Sequence, residues 1–390
     1  MTQDSDNLTK TDPRFFGLNG VKAPSATEQR VLGTTVRSGQ IGQAALSRVT
    51  GLAQQSISRI VKGLVNAGAV SEGARLMSGK RGQPGVAIQI VPDFAYSIGV
   101  SVLTDALSVA LLDFSGVVVA EEHEDMPAMT RTRVLDAVEA IVDRMMDDHC
   151  ISADRLFGMG VSISGRYIGP GAIYNTPHSL DDWALVEIDQ LFQQRFDLPV
   201  WVENDGNAAA VGESLMGVGR SYDNFAYLFI DTLIGGGIII NHELMRGCNG
   251  NGGEIGLLLP KRTYQHPSLE SLRQTLGEHG IAYMTVATMV NEFDPTWPGV
   301  DEWLTRTRSS FSLIASALAA ILDPEAIVLG GRMPKSLAEL VIPHIDITND
   351  ARRGEPRALP DILLSQTRGD ASAIGAASLP FKEHFFAAAV

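Results

Sequence analysis

Apolar residues recur at helical spacing in the first seventy residues and at strand spacing beyond Phe94. Three short helices are expected early. The first starts near Ser25, with Glu28 three residues on as in a capping box, and runs to about Arg37. The second covers Gln43 to Val49 and stops at Thr50-Gly51; the third covers Gln54 to Asn66 and stops at Gly68. In the third, Ile57, Ile60, Val61, Leu64 and Val65 form one stripe to bury, which leaves Gln54, Gln55, Ser58, Arg59 and Lys62 on the open face. Ala53 is a poor N-cap, so this helix is expected to start elsewhere or to be held by Thr50. Val70 to Arg75 and Gly85 to Val91 read as two pairing strands around the tip Ser78-Gly79-Lys80-Arg81-Gly82-Gln83-Pro84.

Beyond Phe94, three apolar segments with tight links predict an antiparallel meander: Tyr96 to Leu103, Ala106 to Asp113 and Val117 to Glu122. A helix from Arg131 to Asp148, a strand from Leu156 to Ser164, a helix from Leu185 to Phe196 and the strand Val200 to Glu203 complete a βββαβα order. A second round begins with Tyr227 to Asp231 and Gly237 to Asn241, and Ala326 to Leu329 supplies a later strand. Two similar α/β lobes around a ligand-binding cleft are the expected architecture. Residues 1–22 are polar and read as a disordered tail rather than a signal peptide.

Charge changes the picture. The net charge of −14 alone argues against a nucleic-acid partner. Residues 1–92, however, hold 11 Lys/Arg against 5 Asp/Glu, whereas residues 93–390 hold 20 against 40. No acid occurs from Gln29 to Ser71. A basic module on an acidic body is implied. Two helices joined by a short turn suit a helix-turn-helix whose second helix enters the major groove. Gln54, Gln55, Ser58, Arg59 and Lys62 are then candidates for base and phosphate contact, and Lys80 and Arg81 on the glycine-rich tip suit the wing of a winged helix. Cys150 and Cys248, far apart, fit a cytoplasmic protein without a disulfide framework. No apolar run is long enough to span a membrane.

Several motifs stand in order: Glu203-Asn204-Asp205-Gly206-Asn207, Ile234-Gly235-Gly236-Gly237-Ile238, Gly253-Glu254-Ile255-Gly256, Leu322-Asp323-Pro324-Glu325 through Gly330-Gly331, and Gly369-Asp370-Ala371-Ser372. On these the chain resembles the ROK family, which groups sugar kinases with sugar-responsive repressors. The resemblance implies an α/β chain with an N-terminal winged helix-turn-helix (23–92) before a two-lobed actin-like, ribonuclease-H-like sugar-kinase fold. The first lobe would be 93–207 plus 366–390, and the second 208–365. It implies sugar binding by Asn204, Asp205, Glu254 and Glu270, with Asp205 as general base if the chain is a kinase. Carboxylates accept hydrogen bonds from sugar hydroxyls, and Asn both donates and accepts. Asp205 also reads as a helix N-terminal carboxylate favoured by the dipole.

Three departures from the family pattern direct the reading. The kinase loop Asp-x-Gly-Gly-Thr appears as Ser101-Val102-Leu103-Thr104-Asp105, and the second phosphate loop begins with Asp231. Bulky side chains at Leu103 and Thr104, with repulsion from Asp105 and Asp231, oppose a polyphosphate. The family's zinc ligands are replaced by Leu257, Lys261, Thr263 and Ser268, with His266 nearby, so no zinc or other cofactor is expected. The expectation is a non-catalytic, sugar-responsive repressor that binds operator DNA as a homodimer or higher homo-oligomer. The alternatives are an active ATP-dependent sugar kinase with a DNA-binding head, and a repressor whose effector is another protein.

Overall fold

The computed structural model describes residues 24–76, 85–260, 262–349, 353–367 and 369–386. The tail 1–22, Lys80, Arg81 and Lys261 lie outside these described residues. The chain opens with α1 (Ala26–Ser38), β1 (Gln40–Gly42), α2 (Gln43–Thr50), α3 (Gln54–Ala67), β2 (Val70–Leu76) and β3 (Gly85–Ile90). At the start of α1, Ser25 Oγ accepts from Glu28 N while the Glu28 carboxylate accepts from Ser25 N at 2.7 Å, the expected capping box. Helix α3 does start after Ala53, with no side-chain cap. Thr50 does not hold it: its hydroxyl donates back to Leu46 O at 2.6 Å, which closes α2 instead. Ile57, Ile60, Val61 and Leu64 are buried as the spacing requires, and Val65 is half-buried. Strand β1, absent from the expectation because it is only three residues long, joins the hairpin in the order β1-β3-β2.

The body begins with the expected meander β4 (Tyr96–Val102), β5 (Ala106–Asp113) and β6 (Val118–Asp125). Then come α4 (Arg131–Asp148), β7 (Leu156–Ile163), the hairpin β8 (Arg166–Gly169) and β9 (Ile173–Asn175), α5 (Ile188–Phe196) and β10 (Val200–Asn204). Helix α5 starts three residues later than expected, because Leu185 sits in the left-handed region at φ 60°. The first five-stranded sheet has the order β10-β7-β4-β5-β6, with β10, β7 and β4 parallel.

The second half comprises α6 (Asp205–Met216), β11 (Phe225–Ile230), β12 (Ile234–Ile240), β13 (Glu243–Leu244), α7 (Leu269–Glu278), α8 (Val286–Asn291), α9 (Val300–Leu322), β14 (Ala326–Gly331), α10 (Lys335–Val341), β15 (Asp361–Leu364) and α11 (Ala371–His384). Its sheet runs β13-β12-β11-β14-β15. We call the first sheet with α4, α5 and α11 lobe I, and the second sheet with α6 to α10 lobe II. Helices α6 and α11 cross between the sheets. Glycine makes the approach possible: a Cβ on Gly160 would collide with the Ala376 carbonyl, and one on Gly375 with the Ala208 carbonyl.

One apolar cluster joins the N-terminal helices to lobe I. It contains Val31, Leu32, Ile57 and Leu64 together with Phe94, Phe114, Phe157, Phe381, Phe385 and Phe386. The rings of Phe114 and Phe385 meet edge-on at 5.0 Å, and Gln29 Nε2 donates to His384 O at 2.8 Å. Toward lobe II the contact is polar. Burial holds the Arg37 pKa below the usual arginine range, while Asp223 and Glu243 pull it the other way. There His242 pairs with Asp223 at 2.9 Å, and Lys382 Nζ donates to His242 O at 2.8 Å.

Candidate ligand cleft and nucleic-acid face

The cleft is built where β10 ends and α6 begins. Asn204 caps the helix: its Oδ1 accepts from Gly206 N (3.0 Å) and Asn207 N (3.3 Å), and its Nδ2 donates to Gly165 O (3.1 Å). Asp205 is the first helical residue and is 7 % exposed. Its Oδ1 accepts from Gly206 N at 2.8 Å and its Oδ2 from the Ser164 hydroxyl. Burial pushes its pKa up to about 6; the Ser164 and Gly206 bonds act against this, and the Asp231 and Glu254 charges add to it. The two sequence readings of Asp205, cleft carboxylate and helix-start carboxylate, describe one arrangement.

A cavity of about 280 Å³ opens beside Asp205. Its wall includes Ser164, Arg166, Asn175, Asn204, Asp205 and Glu254. Glu254 is half-buried and its carboxylate has no hydrogen bond or ion pair among the described residues; burial raises its pKa and Arg166 acts against this. The glycine-rich loop before Glu254 closes over the hairpin, with Asn251 Nδ2 donating to Tyr167 O at 2.9 Å.

The fourth expected ligand residue, Glu270, is not on this wall. It stands in the first turn of α7, where Arg273 grips both carboxylate oxygens at 2.7 Å and Gln274 adds a bond at 2.8 Å. Hydrogen bonding to Arg273 holds its pKa low. A carboxylate so engaged three residues along its own helix has few acceptor sites left to turn to the cleft. Leu257 is 82 % exposed and also off the wall. Ser268 caps α7, and the imidazole of His266 bonds to Leu259 O at 2.9 Å. The donors at these positions do not make a thiolate or imidazole set for zinc. Among the described residues no group of three or more His, Cys, Asp or Glu is placed to hold a metal ion.

At the other end of the cleft stand the two acids expected to repel a polyphosphate, and the structure sets a cation between them. Asp105, in the β4–β5 turn of lobe I, and Asp231, at the end of β11 in lobe II, share the guanidinium of Arg332. Arg332 Nη2 lies 2.8 Å from Asp105 and also contacts Asp231, and Nε donates to Asp231 at 2.7 Å. The Arg332 side chain is 8 % exposed. Burial alone would lower its pKa, but the two carboxylates outweigh it and hold the cation charged. Asp105 also accepts from Ala287 N at 2.9 Å, and the hydroxyls of Thr104 and Thr232 lie 2.8 Å apart across the lobes. Sequence reading missed Arg332, whose one signal is its place directly after Gly330-Gly331. Ser101 turns away from the cleft and is buried against Ser372 of α11.

On α3, Gln54, Gln55, Ser58, Arg59 and Lys62 are all exposed. They share the face opposite the buried stripe, and the nearest acid in sequence beyond the helix is Glu72. Among the described residues no helix is long and apolar enough to cross a membrane.

Residues 97–383 match the ROK family. Over 373 residues the chain is 29% identical to the uncharacterized protein y4fQ of Sinorhizobium fredii, covering 94% of this chain and 93% of that one. It is 31% identical over 233 residues to the xylose repressor of Bacillus spizizenii, 59% of each chain. It is 24% identical over 218 residues to the DNA-binding transcriptional repressor Mlc of Escherichia coli, 56% of this chain and 54% of Mlc. The chain thus spans little more than half the length of these two repressors. Among solved structures, a ROK family transcriptional regulator described as a homolog of E. coli Mlc superimposes with a TM-score of 0.65 at 18% identity, covering 92% of this chain and 96% of that one. A ROK family glucokinase from Streptomyces griseus, in complex with glucose and AMPPNP, does so at 0.57 and 24%, covering 73% and 99%. These two share the fold.

Proposed function

The chain belongs to the ROK family, and on that premise we propose that it is a sugar-responsive transcriptional repressor with a kinase-like cleft that no longer takes a nucleotide. The observation that carries this is the Asp105–Arg332–Asp231 bridge. It joins the two loops that hold phosphates in the family's kinases, and does so with protein charges. A nucleotide polyphosphate would have to displace a buried, paired guanidinium and then meet two carboxylates. Asp205 retains the position of a kinase base, and a second cavity of about 640 Å³ beside Gly330, Gly331 and Met333 is the feature that favours the kinase alternative. The replaced zinc positions support a fold held without that metal.

The N-terminal unit is read as a winged helix-turn-helix. Helix α3 is its recognition helix, presenting Gln54, Gln55, Ser58, Arg59 and Lys62 to the major groove, and Lys80 and Arg81 are its wing cations. A dimer would present two such helices about one DNA turn apart, so a near-palindromic operator fits. The aromatic cluster ties this unit to lobe I, whereas it meets lobe II through Arg37. A sugar that binds the closed cleft more tightly than the open one would therefore alter the Arg37 contact and with it operator affinity.

Two measurements test the reading. A gel shift on the chain's own upstream DNA, with a sugar panel, should show a sugar-dependent change in affinity. Arg59→Ala should weaken that binding, and Lys80→Ala with Arg81→Ala should flatten its salt dependence by about two units of slope. A coupled ADP-release assay across common hexoses should show no turnover; sustained turnover lost in Asp205→Asn would establish the kinase instead.

A further inference from the structure

The cavity wall lacks two contacts implied by the family pattern, since Leu257 faces solvent and Glu270 is held by Arg273. Arg166 stands on it in their absence. It is the one cation among the described residues lining this cavity; the residue is exposed, and its side chain has no hydrogen bond or ion pair among the described residues. Its backbone is pinned from both lobes. Asn204 donates to the carbonyl just before it, Gly165 O, and Asn251 from the lobe II loop donates to the carbonyl just after it, Tyr167 O. Such bracketing fixes where the long side chain starts, and the register of β8 sets it opposite Asn175, another wall residue. Glu254 feels the charge of Arg166 but is not paired with it. A guanidinium with five donors and a carboxylate with only acceptors thus border the same space, each without a side-chain partner among the described residues.

We infer that Arg166 is a ligand-contacting residue that grips, together with Glu254, two neighbouring hydroxyls of an unphosphorylated sugar; this rests on the sugar-sensing reading above. The guanidinium donates to one hydroxyl oxygen and the carboxylate accepts from the adjacent O–H. A phosphate placed against Arg166 would also face Glu254 and Asp205, two carboxylates against one cation, so a phosphorylated sugar is disfavoured. Volume agrees: about 280 Å³ lies at the small end of ligand cavities and suits a monosaccharide.

The test is calorimetric titration of the full chain with D-xylose, D-glucose, N-acetyl-D-glucosamine, D-glucose 6-phosphate and N-acetyl-D-glucosamine 6-phosphate. At least one neutral sugar should bind, and no phosphorylated one more tightly. Arg166→Met should weaken that sugar roughly tenfold, as loss of a charge-assisted hydrogen bond does, with the unfolding temperature unchanged. Arg166→Lys should recover part of the loss. A loss below fivefold in Arg166→Met, or tighter binding of a phosphorylated sugar, overturns the inference and leaves sugar sensing standing. Binding of none of the five by the unaltered chain overturns both.

Discussion

The two ends of the cleft each hold one buried and one half-buried acid, and treat them in opposite ways. At the cavity end, among the described residues, the Asp205 carboxylate is bonded only by the Ser164 hydroxyl and a backbone N–H, and the Glu254 carboxylate has no bonded partner. At the other end, Asp105 and Asp231 are closed on Arg332. The difference teaches how a fold assigns function with one residue type. A carboxylate left without a cation keeps its acceptor sites for a ligand, at a cost in stability. A carboxylate paired inside the protein becomes structure and offers a ligand nothing.

The largest effect should come from breaking the paired end. Arg332→Ala leaves the buried Asp231 and the half-buried Asp105 without their shared counter-charge, so chemical denaturation should show a loss of about 3–5 kcal/mol. Adding Asp105→Asn and Asp231→Asn to Arg332→Met should recover most of that loss; no recovery would mean the bridge is not what stabilises this end.

The unpaired end should respond with the opposite sign. The folded pKa of Asp205 is raised from an ordinary carboxylate value to about 6. Folding therefore loses stability as pH climbs through that window, because the folded state must give up a proton it holds more tightly than the unfolded chain does. Asp205→Asn should leave stability unchanged near pH 4, raise it by about 1–2 kcal/mol at pH 8, and abolish sugar binding. Equal stability of the two proteins at both pH values would remove the distinction between the two ends. Thr104→Val, which deletes one hydroxyl bond across the lobes, should cost only about 1 kcal/mol in the same denaturation experiment.

Much of this was legible beforehand. The capping box at Ser25, the α3 stripe and the β4–β6 meander follow from spacing and turn chemistry over a few residues, and the structure has them with small boundary shifts. The 23-residue helix α9 was not assigned, and neither was the β8–β9 hairpin. Helix α9 buries one stripe at helical spacing, but Thr307, Ser310, Ala315 and Ala319 stand among its buried positions and weaken the apolar signal, and each hairpin strand is too short for alternation to show. Asn204, Asp205 and Glu254 were singled out from the motifs of the resembled family, and all three line one cavity. Glu270 was singled out by the same route, but it lies off that wall and Arg273, three residues along the helix, engages it.

The sequence by itself determined the basic head on an acidic body, the exposed polar face of α3 and the β4–β6 meander. These are local or compositional properties, set by residues close together in the chain. Only the tertiary structure decided which charges meet. Asp105, Asp231 and Arg332 are separated by 126 and 101 positions in sequence, and no spacing rule links them until two sheets bring their turns together. The same packing left the side chains of Arg166 and Glu254 without a bonded partner among the described residues, beside one cavity. Whether a charge is spent on the fold or kept for a ligand depends on distances that a linear chain does not carry.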